Sequence, residues 1–139
     1  MALSSNQPIN LIPDFTYRDV PVASGAIHFY KNALVNRNSS GYAKLGADTA
    51  GEVFAGIAFE ELDQATGGAN GDNDIKLIAA KSGVVVKLTL TGVAITDIGA
   101  DCFVNGDDVV ALAATTTNDV RVGRIVDIGD TNEAYVVLD

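Results

Sequence analysis

The sequence predicts an all-β protein, a small single-domain β-barrel or sandwich with an extended N-terminal arm and little helix. Three observations carry this prediction. Apolar runs have the length of strands and are separated by clusters of Gly, Asp, Asn and Ser. The hydrophobic 47% of the chain is mainly Ala, Val, Leu and Ile, with 6% aromatic residues, a mixture suited to closely stacked strands rather than a deep aromatic-lined pocket. No stretch shows an internal repeat, a heptad or an amphipathic helix of useful length. At 139 residues the chain has the size of one ordinary domain, so one compact core is expected.

Residues 1–14 are polar and broken by Pro8 and Pro13, and each proline biases its predecessor towards extended geometry. Residues 1–18 therefore read as an arm, and residues 19–139 as the β-rich domain. Phe15, Tyr17, Phe29, Tyr30 and Tyr42 place most of the few aromatics in the first third of the chain. An aromatic-bearing arm covers a neighbour's surface or packs against its own barrel, and the sequence leaves both open.

The runs from Ala26 to Tyr30 and from Ala33 to Arg37 are short strand candidates joined at Lys31-Asn32. The cluster Asn38-Ser-Ser-Gly41 is a turn before Tyr42-Ala-Lys-Leu, which would make a meander. Val53 to Phe59 is nearly all apolar and predicts a strand covered on both faces, with Gly56 permitting close backbone approach or a bulge. From Glu60 to Asp74 the run is too polar and glycine-rich to pack, and it reads as an exposed loop. Ile75, Leu77 and Ala79, then Val86, Leu88 and Leu90, alternate with polar or small residues around Ser82-Gly83, the pattern of a hairpin with one buried face.

Thr96 to Val104 has room for one helical turn capped by Thr96 or Asp97. In Asn105-Gly106-Asp107-Asp108 the Asn-Gly pair predicts a tight turn with positive φ. Along Val120 to Ile128 the alternation slips after Val122, because Arg124 falls on the apolar phase, and a bulge at Gly123-Arg124 restores it. Glu133 to Asp139 closes the sheet.

Nine basic against eighteen acidic residues give a net charge of −9, which repels phosphate backbones and anionic lipid surfaces. No nucleic-acid or membrane partner is expected. The charge is uneven, with +2 on residues 1–45 and −11 on the remainder, so that one end is expected to face an acidic partner and the other solvent. The beginning of the sequence lacks the basic and apolar regions of a secretory signal, and no stretch has the length of a membrane span, which predicts a soluble protein made in a reducing cytoplasm.

Catalytic candidates are sparse. The one histidine, His28, has no Ser, Cys or metal-ligand partner at a recognisable spacing, and a structural role is expected. The one cysteine, Cys102, in Asp-Cys-Phe-Val, reads as a small core residue. Asp63, Asp72, Asn73 and Asp74 offer hard oxygen ligands, yet lack the alternating acids and distal Glu of a calcium loop. Glu60-Glu61 and Asp107-Asp108 are adjacent pairs whose side chains diverge in extended chain, unsuited to flanking one glycosidic bond. No enzyme activity, cofactor or metal is expected, and a small β-barrel hydrolase is a remote alternative.

Five segments carry a family likeness: Lys31-Asn-Ala-Leu-Val; Ser40-Gly-Tyr-Ala; Asp48-Thr-Ala-Gly-Glu-Val-Phe-Ala-Gly-Ile-Ala-Phe-Glu; Gly67-Gly-Ala-Asn-Gly-Asp; and Asn118-Asp-Val-Arg-Val-Gly-Arg-Ile-Val-Asp. In that order they resemble bacteriophage and prophage capsid decoration, or cement, proteins, over the span from Ile27 to Asp139. The resemblance implies a β-rich virion protein on the capsid exterior that binds the major capsid protein, forms a homotrimer at local threefold positions and braces the shell. It implies no catalytic residues. Under it, Leu11, Ile12, Phe15, Tyr17 and Arg18 are expected at the capsid or neighbouring-subunit contact, with loop 63–74 on the solvent side. Another phage structural module, associated with a tail or fibre, is the alternative.

Overall fold

The computed structural model describes residues 17–64 and 66–139. Leu11, Ile12 and Phe15 lie outside the described residues. Twelve strands follow in chain order: β1 (Tyr17–Pro21), β2 (Ile27–Phe29), β3 (Leu34–Arg37), β4 (Ala43–Leu45), β5 (Val53–Ala58), β6 (Leu62–Gln64), β7 (Asp74–Ala79), β8 (Val85–Thr89), β9 (Asp101–Val104), β10 (Val110–Ala111), β11 (Arg121–Ile128) and β12 (Glu133–Val137). The helix among the described residues is a single 3-10 turn at Ile95–Asp97. The fold is all-β with little helix, as expected, and its sheets are curled into a barrel-like form.

Two five-stranded sheets carry the structure, in the orders β1-β7-β5-β3-β4 and β8-β12-β11-β9-β10. These are the same topology used twice. In each, the first strand pairs with the fifth, the fifth with the fourth, the fourth with the second and the second with the third. Each sheet curls until its edges meet through one parallel bridge, Val22 to Ala43 in the first and Leu90 to Val110 in the second. The agreement extends to single bonds. Asn32 N–H donates to the Ala58 carbonyl at 2.8 Å, and Gly99 N–H to the Ile125 carbonyl at 2.8 Å. Asn38 N–H donates to the Tyr42 carbonyl, and Asn105 N–H to the Val109 carbonyl. The absence of a repeat expected from the sequence is therefore corrected.

The glycines show what the topology demands. An added Cβ at Gly56 would lie 2.2 Å from the Ile78 carbonyl oxygen, and one at Gly123 would lie 2.0 Å from that of Val137. Both occupy the fourth strand of their unit beside a bulge: Ala55 is the extra residue against Val35-Asn36, and Val122 the extra residue against Cys102-Phe103. A bulge bends a strand and tightens its twist, which is what a five-stranded sheet needs in order to close. The second bulge lies within a residue or two of the expected position, and β11 carries a further register shift against β12 between Ile125 and Asp127.

Because β5 is bulged, Phe54 and Ile57 share one face while Ala55 and Ala58 share the other. The inner face packs Ala58 with Val20, Val35, Ile75, Leu77 and Phe29. The outer face contributes Leu34, Phe54 and Ile57 to a second cluster lined by Cys102, Val104, Val122, Ile125 and Val136. The two units thus share a core. Covering on both faces, as the sequence predicts for Val53 to Phe59, holds for the middle of that run but not for its two end residues, since Val53 is 60% and Phe59 42% exposed.

Two expected pairings and one expected loop are corrected. β2 does not pair with β3; it joins β6 in a separate two-stranded ribbon. β7 and β8 form no hairpin, since β7 lies between β1 and β5 while β8 edges the other sheet beside β12. The Ser82-Gly83 turn is the crossing from one unit to the other. The stretch 60–74 is not wholly exposed loop, because β6 lies in it and Gln64 is buried there. Its amide donates to the Ala23 and Gly25 carbonyls, and its Oε1 accepts from Asn73 Nδ2, so its polarity is satisfied locally.

Turn chemistry is corrected in two places. Neither Asn105 nor Gly106 has positive φ, and the turn is the wider one closed by Asn105 N–H to the Val109 carbonyl. The 3-10 turn has Ala94 at its cap position, and Asp97 reaches back so that its Oδ2 accepts from Ala94 N–H at 2.8 Å.

Candidate docking surface

Tyr17 and Arg18 are the expected contact residues that the structure describes, and both belong to β1 rather than to an arm. The arm boundary expected at residue 18 thus falls inside a strand. Tyr17 stands opposite Ile78, and Arg18 opposite Leu77. Alternation sends Tyr17 to the outer face while Val20 enters the core. Phe59 follows β5 and is held by its N–H to the Lys76 carbonyl at 2.9 Å. Its ring meets that of Tyr17 at a centroid distance of 4.9 Å and a tilt of 58°, yet each residue remains 42% exposed. Two aromatic rings in contact and half in water form a preorganised apolar surface with little rotamer entropy left to lose.

At the end of the same sheet, a shallow groove of about 340 Å³ is lined by Arg18, Arg37, Val53 and Lys81, among others. Arg37 and Lys81 make no salt bridge among the described residues. Three cations around one exposed valine are notable on so acidic a chain. Residues 17–84 hold six basic and eight acidic residues, against three and nine on residues 85–139. The surplus of negative charge therefore belongs mainly to the second unit. Charge asymmetry along the sequence is a difference between the two units.

The remaining candidates have structural partners. His28 Nε2 lies 2.7 Å from Glu61 Oε1, its Nδ1 lies 3.9 Å from Asp63 Oδ1, and its ring stacks on Tyr30 at 4.0 Å. These groups staple the β2–β6 ribbon. Cys102 is buried, and burial pushes its thiol up to about 12, which keeps it protonated and inert. Among the described residues no group of three His, Cys, Asp or Glu side chains is placed to hold a metal ion, and no helix is long and apolar enough to cross a membrane.

Two polar clusters escaped the sequence. Asn36, fully buried, donates to the Ala47 carbonyl and to Glu52 Oε2, both at 2.9 Å. Glu52, its side chain 5% exposed, also accepts from Lys44 at 3.2 Å. Asp48 joins the two units: its oxygens accept from Thr117 N–H at 2.7 Å and Asn118 N–H at 2.8 Å, while Asn118 Nδ2 donates to the Asp48 carbonyl at 2.9 Å. The two backbone donors hold the Asp48 carboxyl below its ordinary range. A depressed carboxyl contributes stability that is complete above its unfolded pKa and is lost as pH falls through the folded value. Asp48→Ala is thus expected to lower the urea midpoint at neutral pH, and the gap from the parent to narrow in acid. A gap that stays constant from neutral pH to pH ~3, below the ordinary carboxyl pKa of about 4, would contradict this.

No protein-family model, curated protein or solved structure matches the chain.

Proposed function

We propose that the protein decorates a bacteriophage head, binding the major capsid protein on the outside of the assembled shell and bracing it as a cement protein. The observation that carries this reading is the half-exposed Tyr17–Phe59 pair beside the groove of Arg18, Arg37 and Lys81. It lies on the less acidic unit, where covering the surface desolvates the least surplus charge, and it includes Tyr17, the first described residue. The resemblance of the segments from Ile27 to Asp139 to decoration proteins supports the same reading. Those segments map onto the framework: Asp48 to Glu60 spans the loop before β5 and the strand itself, and Asn118 to Asp127 spans most of β11. A homotrimer at local threefold positions is the assembly proposed, in which many modest contacts on one lattice add up through avidity.

The second reading is a tail- or fibre-associated module that joins subunits through exposed strands. The open edge of β8 favours it. Sedimentation with DNA-free heads and, separately, with isolated tails distinguishes the two. Pelleting with heads alone supports decoration, and pelleting with tails alone overturns it.

A further inference from the structure

The two units differ at one pair of edges, and the difference assigns a binding site. At the ends of the β8–β12 ladder, Leu138 N–H donates to the Val84 carbonyl and Leu90 N–H to the Asn132 carbonyl, each at 2.9 Å. Bonded and non-bonded pairs alternate along an antiparallel ladder. Val86 and Leu88 therefore turn their backbone groups towards β12, while Val85, Lys87 and Thr89 turn theirs away from it. On that side β8 meets β10 only at its end, through the Leu90–Val110 bridge, and no described strand pairs along the rest of it. In the first unit the bond from Val22 N–H to the Asn73 carbonyl fixes the same alternation, so that Tyr17, Asp19 and Pro21 point outward from β1.

Pro21 and Thr89 are equivalent positions, each just before the residue that makes the closing bridge. A proline offers no N–H to an incoming strand, and prolines are a common protection of sheet edges. The first unit carries that protection and the second does not. The unprotected edge of β8 also opens on a groove of about 460 Å³, formed by Lys87, Leu88 and Thr89 on one side and Tyr30, Asp107 and Asp108 on the other. Leu88 is only partly buried against the core beneath it.

We propose that the free edge of β8 binds an extended segment of a partner polypeptide by strand addition. The segment places an acidic side chain opposite Lys87 on the outer face and apolar side chains over Val86 and Leu88 on the inner face. Lys87 is available for this, since its contact with Glu133 is long, 3.7 Å, and more than half exposed at the lysine. A second copy of β8 is a poor occupant, because centred antiparallel pairing sets Lys87 against Lys87. The inference is independent of where the protein works, and its test needs no phage particle.

The probe is the blocked pentapeptide Thr-Val-Glu-Val-Thr, added at millimolar concentration to the isotope-labelled full chain. The expected result is slowed amide exchange at Val85, Lys87 and Thr89. Thr89→Pro, a change for which Pro21 provides the precedent, is expected to weaken binding about tenfold by removing one edge donor. Lys87→Glu is expected to weaken this peptide and to favour Thr-Val-Lys-Val-Thr instead. Unchanged exchange at all three amides overturns the proposal, as does protection that grows with protein concentration alone. Equal affinity in a folded Thr89→Pro variant also overturns it. If that variant loses its native spectrum, the charge swap at Lys87 decides, and an unaltered peptide preference counts against the site.

Discussion

Gly123→Ala is expected to destabilise the protein by about 3 kcal/mol or more, a large part of the roughly 5–15 kcal/mol that holds a domain together. The new Cβ would sit 2.0 Å from the Val137 carbonyl oxygen. That atom is backbone of a paired strand, so no side-chain rotation relieves the clash. Either β11 and β12 separate locally or the bulge at Val122 is lost. Gly56→Ala meets the Ile78 carbonyl oxygen at 2.2 Å and adds the strain of φ +151, so its cost is expected to be at least as large. Gly92→Ala is the control. It has φ +74 but open space, and about 1 kcal/mol is expected. Urea unfolding of the three variants separates backbone approach from backbone conformation. A Gly123→Ala midpoint as mild as that of Gly92→Ala would contradict the close-approach account.

The second large effect is on binding. Removing residues 2–16 is expected to abolish attachment to heads while the urea midpoint stays near that of the parent. Removing residues 2–18 is expected to lower stability as well, because Tyr17 and Arg18 belong to the ladder with β7. Within the described surface, Tyr17→Ser together with Phe59→Ser removes the aromatic pair, and a loss of tenfold or more, roughly 2 kcal/mol, is expected for a contact of this kind. Both residues are exposed, so the fold should tolerate the change. Undiminished binding by the double variant would remove Tyr17 and Phe59 from the interface.

Local features were legible in the sequence where local physics decides them. Asn38-Ser-Ser-Gly41 makes the predicted turn because Asn38 Oδ1 accepts from Ser40 and Tyr42 N–H, and Gly41 takes φ +88. β5 and its Gly56 were legible because an unbroken apolar run has few other uses. Pairing was not legible in the same way. β7 and β8 both alternate and are joined by a turn, but alternation identifies a buried face without saying what covers it. Their true partners, β1 with β5 and β12, lie far along the chain.

The repeated topology was hidden for a related reason. Val53 and Val120, Gly56 and Gly123, and Asn38 and Asn105 keep their identities. The glycines persist because backbone approach tolerates nothing else. Core positions are free to vary, and Val35 is matched by Cys102, Ala43 by Val110 and Ala58 by Ile125. The β6 insertion then breaks the spacing. The clamp of Asp48 on Thr117 and Asn118 joins residues 69 and 70 apart, and no local signal marks it. Of the candidate surface, Tyr17 and Arg18 were named from the sequence under the family resemblance, and the structure places both on β1. Phe59, Arg37 and Lys81 were not, since strand pairing brings Phe59 to Tyr17 and the end of the sheet gathers Arg37 and Lys81 with Arg18.

The attachment proposed is to the outside of a phage head. The test is to mix the full-length protein with DNA-free phage heads, pellet the heads and measure bound copies against capsid subunits. Saturable binding in a fixed ratio is expected, with heads that withstand heating or chelation better than undecorated ones. A protein that stays in the supernatant at every concentration, or heads no more robust when saturated, would contradict it.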